Sequence, residues 1–122
     1  ESGKGWFYQP TIIDNLSMDD PAVQQEIFGP VLAVQVVDSD EEAIAAANST
    51  EFGLVSGIYT RDISRALNLA REVDAGQITI NYYWGGGVEL PFGGNKKSGF
   101  GKEKGWEGLE AYTKVKSITA KI

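Results

Sequence analysis

From Val31 onward the sequence switches twice between a short β-branched apolar run and a capped helical segment. This alternation restricts the fold more than any other feature. Val31-Leu32-Ala33-Val34-Gln35-Val36-Val37 is nearly all apolar, the pattern of a strand covered on both faces. Ser39-Asp40-Glu41-Glu42 reads as a capping box, in which the Ser hydroxyl and the Glu carboxylate each satisfy a backbone N–H, and good helix formers follow from Ala43 to Ala47. Leu54 to Thr60 is a second strand candidate. Asp62 then stands as an N-cap before Ile63, Ala66, Leu67, Ala70 and Val73 at helical spacing. Gly76 is placed to end that helix in a left-handed conformation, and Gln77 to Asn81 forms a third, short strand. Helices between strands favour parallel pairing through right-handed crossovers. The predicted class is α/β, with a three-layer, mainly parallel sheet and helices on both faces.

The flanks differ from this middle. Phe7 to Asp14 reads as a strand that Pro10 confines to an edge. Asp20-Pro21 opens a short helix predicted to run to about Glu26 and to stop before Gly29-Pro30. Nine of the fifteen glycines fall between Gly85 and Gly108, so that stretch is predicted to be mostly loop. A short helix is expected over 106–112. Val115 to Ile122 alternates, with Ile118, Ala120 and Ile122 on one face, the pattern of a half-buried strand with Lys residues at an edge.

At 122 residues with 42% hydrophobic content, the chain is long enough for one domain with a core of its own. It has no Cys and no His, which removes thiolate and imidazole chemistry and their metal sites. No apolar run approaches the roughly 18 residues a membrane-spanning helix needs. The only Met is Met18 and no signal peptide opens the chain, so the expectation is a cytoplasmic protein represented by a piece of a longer chain. Residues 1–60 carry ten acids and one base, and residues 61–122 carry seven acids and ten bases. An excess of three positive charges spread over the second half is too small for a nucleic-acid footprint.

Four places attract chemical interest. Glu26 is expected at a helix C-terminus, where the macrodipole disfavours a carboxylate by about 0.3–1 kcal/mol. It could accept hydrogen bonds from two vicinal hydroxyls, as a ribose offers, or be a solvated helix-end residue. Phe28, just before Gly29-Pro30, could lie against a flat ligand or plug the core beneath the turn. Asn81, Tyr82, Tyr83 and Trp84 end the third strand, where ligands gather in α/β sheets, and could wall a pocket or cap the core. In the Gly-rich stretch Gly94 and Gly99 have P-loop spacing, but Phe100-Gly101 stand where Lys and Ser or Thr are required, and the dinucleotide fingerprint fails at Lys104. What remains is a loop able to approach a ligand or another segment closely, or one whose glycines merely permit tight turns.

Taken together, Glu26-Ile27-Phe28-Gly29-Pro30 and Pro91-Phe92-Gly93-Gly94-Asn95-Lys96-Lys97-Ser98-Gly99 resemble the C-terminal part of the NAD(P)-dependent aldehyde dehydrogenases. Gly5 to Thr11 before them, Asn48 to Leu54 and Ala75-Gly76 between them, and Tyr112 to Lys116 after them extend the likeness over essentially the whole chain. The resemblance implies that Glu26 binds the ribose hydroxyls next to the nicotinamide of NAD or NADP, with Phe28 packed beside it. It implies that Phe92 is an aromatic of the substrate tunnel for a small aldehyde, and that Asn81, Tyr83 and Trp84 border that tunnel. Residues 1–112 would be the end of the catalytic domain. Residues 113–122 would be an oligomerisation strand, joining a sheet across the interface of a homo-dimer or tetramer through 115–122. The family reaction uses a Cys thiolate that attacks the aldehyde to give a thiohemiacetal, hydride transfer to NAD(P)+, and a Glu-activated water. On this reading nucleophile and general base lie in the remainder of the chain, and these 122 residues alone are inactive. The competing expectation is an autonomous, non-catalytic interaction module that associates through its last strand.

Overall fold

A computed structural model describes residues 3–122, which separate into two compact units, Glu1–Thr50 and Glu51–Ile122. The structure is mixed α/β, and the strand pairing falls into three two-stranded sheets, two of them parallel and one antiparallel.

In the first unit, β1 (Thr11–Ile13) pairs in parallel with β2 (Val31–Ala33), with α1 (Pro21–Gln24) between them in sequence. Pro10 stands just before β1, consistent with its missing N–H donor. Asp20 caps α1 by accepting from Ala22 N at 2.8 Å. The helix is one turn long and ends at Gln24, so Glu26 lies beyond the helix end on which the dipole argument placed it. β2 is shorter than the seven-residue run suggested, and Leu32 and Val36 face solvent, so the strand is not covered on both faces within this unit. The capping box after it is realised with a shift. Ser39 Oγ accepts from Glu42 N at 3.1 Å, while Glu42 Oε2 accepts from Asp38 N at 2.9 Å, one residue before the cap. The result is α2 (Asp40–Asn48).

In the second unit, β3 (Phe52–Gly53) precedes β4 (Val55–Ile58), then α3 (Ile63–Glu72) and β5 (Gln77–Ile80) follow as expected. β4 and β5 are parallel, with Val55 opposite Gln77 and Ile58 opposite Ile80. Asp62 caps α3, accepting from Arg65 N at 3.0 Å. The helix lies against β4 and buries Ala66 completely, but Ile63 and Leu67 on the same apolar stripe remain exposed. Within the Gly-rich stretch two residues, β6 (Asn95–Lys96), pair antiparallel with β3, a strand the glycine content concealed. The last helix is α4 (Gly105–Glu110).

Three expectations change. Gly76 does not cap α3. The helix closes at Val73, whose N–H bonds Leu69 O at 3.0 Å, and Gly76 is glycine for a different reason, set out below. Residues 113–122 form no ladder and are exposed throughout, because a strand needs a neighbour and no described residue supplies one. The core expected from length is also slight: Ala66 is the buried hydrophobic side chain among the described residues, and Thr79 the buried polar one. Tyr, Trp, Leu and Ile side chains are present in the sequence, but many of them are exposed among the described residues.

Candidate functional site

The first cluster lies on the turn from α1 to β2. Pro30 O accepts from Thr11 N at 2.8 Å and Val31 N donates to Gly29 O at 2.8 Å, which fixes the turn to the β1–β2 ladder. Phe28 sits at φ 55°, a region an aromatic residue enters only under constraint, of order 1–3 kcal/mol. That backbone turns its ring outward, 88% exposed. Glu26, two residues earlier, is exposed and its carboxylate accepts no hydrogen bond from a described residue. A carboxylate with its lone pairs uncommitted and a flat ring thus share one short turn. This pair suits vicinal hydroxyls beside an aromatic heterocycle. Phe28 plugs no core among the described residues.

The second cluster occupies the carboxyl ends of β4 and β5. Asn81, at φ 60°, accepts from Thr60 N and donates to Thr60 O, both at 2.9 Å, so its amide clamps the two strand ends together. Tyr83 and Trp84 meet edge to face at 5.7 Å, with planes at 88°. Tyr83 lies over Gly57 of β4, where a Cβ would come within 3.3 Å of its ring. Both rings remain at least half exposed.

Phe92 lies elsewhere in the same unit. It and Glu103 exchange both backbone hydrogen bonds at 2.7 Å, and the Lys104 ammonium stands 5.5 Å from its ring centroid. Phe92 lines an open cleft of about 590 Å³ together with Leu54, Ser98, Phe100, Lys102 and Glu107. Asn81, Tyr83 and Trp84 do not line it. The structure therefore brings Tyr83 to Trp84, leaves Glu26 and Phe28 as near neighbours in sequence on one exposed turn, and sets Phe92 in a different cleft.

The Gly-rich loop is built for contact between backbones. A Cβ on Gly76 would stand 1.7 Å from Gly93 O, one on Gly53 2.5 Å from Asp74 O, and one on Gly93 2.5 Å from Gly101 O. Ser98 Oγ accepts from Gly53 N at 3.0 Å. Lys102 Nζ donates to Gly93 O at 2.7 Å and to Asn95 Oδ1 at 3.4 Å, and Asn95 Nδ2 donates to Asp74 Oδ1 at 2.9 Å. At Gly76 and Gly93 the close approach is to another segment, and at Gly99 and Gly101 the positive φ serves a turn. Lys102 gave no signal in the sequence, and Asn95 and Ser98 entered only as members of the Pro91–Gly99 motif, because partners that are largely main-chain groups leave no spacing signature. Among the described residues no three acidic, His or Cys side chains gather as a metal site, and no helix is long and apolar enough to cross a membrane.

Comparison with known proteins gives a consistent result. The sequence pattern of the aldehyde dehydrogenase family matches residues 1–118. The chain is 46% identical over 118 residues to 4-trimethylaminobutyraldehyde dehydrogenase A of Danio rerio, covering 97% of this chain and 23% of that protein. Among solved structures, an NAD-dependent aldehyde dehydrogenase from Sinorhizobium meliloti superposes with a TM-score of 0.87 at 39% identity, over 93% of this chain and 23% of that one. Betaine aldehyde dehydrogenase from Staphylococcus aureus in complex with NAD+ superposes with a TM-score of 0.84 at 39% identity, over 88% of this chain and 21% of that one. The chain spans about a quarter of the length of the curated relatives it matches.

Proposed function

Because the chain belongs to the aldehyde dehydrogenase family, we propose that it is the C-terminal part of an enzyme that oxidises an aldehyde to a carboxylic acid with NAD or NADP. The observation that carries this reading is the turn bearing Glu26 and Phe28. An outward-facing ring held at a left-handed backbone angle, beside an uncommitted carboxylate, is costly to maintain without a ligand. The two residues fit a nucleoside whose ribose diol and planar base must be held together.

In this assignment Glu26 accepts from the two hydroxyls of the ribose that carries the nicotinamide, and Phe28 packs beside that ring. The nicotinamide dinucleotide supplies a hydride acceptor when bound. Glu26 and Phe28 orient it, and Phe92 walls the aldehyde tunnel; Asn81, Tyr83 and Trp84, which lie outside the cleft at Phe92, are assigned to the tunnel border on the family resemblance. Asn81 acts by clamping the strand ends, and Tyr83 and Trp84 by excluding water from the tunnel mouth. The nucleophilic Cys and the general-base Glu are supplied by the remainder of the chain, since this sequence has no Cys. The three small sheets join a three-layer, mainly parallel sheet with helices on both faces when that remainder is present. The exposed stripe of Ile63 and Leu67 and the outer face of β2 support this assembly. Residues 115–122 add as a strand to a second subunit, in keeping with their alternation and their lack of a ladder within the chain.

The testing experiment is an NAD(P)+-dependent aldehyde oxidation assay on the full-length source protein and on the 122-residue chain. The longer protein is expected to turn over and the shorter one to be inactive. Oxidation by the isolated chain, or a native product of 122 residues, would end the reading. Within the active protein, Phe92→Ala is expected to shift preference between short and long aldehydes by about tenfold while leaving cofactor affinity nearly unchanged. Equal selectivity would remove Phe92 from the tunnel.

A further inference from the structure

We propose that Lys102 is a positioning residue for aldehyde selectivity, acting on Phe92 through the carbonyl that follows it. The inference rests on the reading of Phe92 as a wall of the aldehyde tunnel. Phe92 is held from two sides by one short segment. Its own N–H and C=O go to Glu103, both at 2.7 Å. The next carbonyl, of Gly93, accepts from the ammonium of the adjacent Lys102 at 2.7 Å. The Glu103 pair holds the peptide planes on both sides of Phe92, and the Lys102 bond holds the following plane, so the segment is pinned where it leaves Phe92 as well as at the residue itself.

The lysine is itself held. It is half-buried, and its stem crosses Gly93 so closely that a Cβ there would meet Lys102 Cδ at 3.0 Å. Its ammonium also reaches Asn95 Oδ1 at 3.4 Å, Asn95 donates to Asp74, and Asp74 Oδ2 lies 3.9 Å from Lys96 Nζ. The chain of contacts ties the Phe92 segment to the turn that enters β5. Charge-assisted donation to a partly desolvated carbonyl is the strong kind of hydrogen bond, and removing the donor leaves the carbonyl unsatisfied. Lys102 lines the same cleft as Phe92, but its ammonium is engaged by Gly93 O and Asn95 Oδ1. Its effect on the reaction passes through the ring it orients.

The test uses the full-length enzyme and the ratio of kcat/KM for a long and a short unbranched aldehyde. Lys102→Met keeps the stem and removes the donor. It is expected to shift the ratio by about five- to tenfold in the same direction as Phe92→Ala, because small displacements of a positioning group are felt at the reacting centre. Lys102→Arg, which restores a cationic donor, is expected to stay within about twofold of the parent ratio. Lys102→Met added to Phe92→Ala is expected to change the ratio no further, since the ring it orients is gone. Should Lys102→Met not fold, Lys102→Leu, which also removes the donor, is held to the same expectation. A uniform loss of rate for both aldehydes, or an unchanged ratio while Phe92→Ala moves it, overturns the role of Lys102 and leaves Phe92 in the tunnel. An unchanged ratio in Phe92→Ala overturns both.

Discussion

Gly76→Ala in the full-length enzyme is expected to lower the free energy of unfolding by about 3 kcal/mol or to prevent folding altogether, although it adds a single methyl group. The added carbon would stand 1.7 Å from Gly93 O and 2.8 Å from Gly93 C, and both are main-chain atoms that cannot swing aside. Gly93 in turn has Gly101 O and the Lys102 stem against it, so the displacement has nowhere to go. Gly57→Ala is the matching control. Its Cβ would meet the edge of the Tyr83 ring at 3.3 Å, and an exposed ring can give way, so a loss below about 1 kcal/mol is expected. Urea unfolding with the slope unchanged and the midpoint shifted reads both values. Similar midpoints for the two variants would refute the interlocked backbone as the reason for glycine at 76.

The second large effect concerns the cofactor. Glu26→Gln keeps the size of the side chain and exchanges one charged acceptor oxygen for an amide. A diol that donates to both carboxylate oxygens loses one partner and meets a donor instead. The penalty is about 1.5–3 kcal/mol, roughly one to two orders of magnitude in kcat/KM for the nicotinamide dinucleotide. Thermal stability should stay near that of the parent, since the carboxylate makes no hydrogen bond within the described residues. Steady-state kinetics at varied cofactor concentration decides it: unchanged cofactor KM together with unchanged kcat would release Glu26 from the ribose.

Local signals in the sequence proved most dependable where the responsible atoms are neighbours in the chain. Ser39, Asp62 and Asp20 cap their helices because a short polar side chain satisfies an N–H two or three residues on, and that geometry needs no tertiary partner. The parallel pairing of β4 with β5 followed from the helix between them. Legibility failed where a long-range partner decides. Gly76 looked like a helix cap because it follows an amphipathic run, yet its neighbour is Gly93, seventeen positions later. Residues 115–122 alternate like a strand, but alternation specifies a face and not a partner. The apolar run at Val31 to Val37 likewise described a strand with two covered faces, and Leu32 and Val36 are bare. Of the candidate site, Glu26 drew notice as a carboxylate expected at a helix C-terminus, a setting that falls away because α1 ends at Gln24, and the roles expected of Glu26 and Phe28 came from the family resemblance. Lys102 drew no notice, because a lysine bonded to a carbonyl reads in sequence like any other surface lysine.

The crowding around Gly53, Gly76, Gly93 and Gly94 contrasts with the empty space around Gly99 and Gly101, where a Cβ would meet nothing within 4 Å. For protein engineering this divides the loop into a cassette and a handle. Residues 91–98 cannot be exchanged for a homologous loop unless the Asp74-Ala75-Gly76 turn and Gly53 travel with them, since each shapes the cavity the other fills. Phe100 projects from the tip between two glycines at φ 139° and 77° and is fully exposed. Diversity introduced at that one position, with both flanking glycines kept, leaves the interlock undisturbed, so a library seeking new substrate range should begin at 100 and hold 76 and 93 constant.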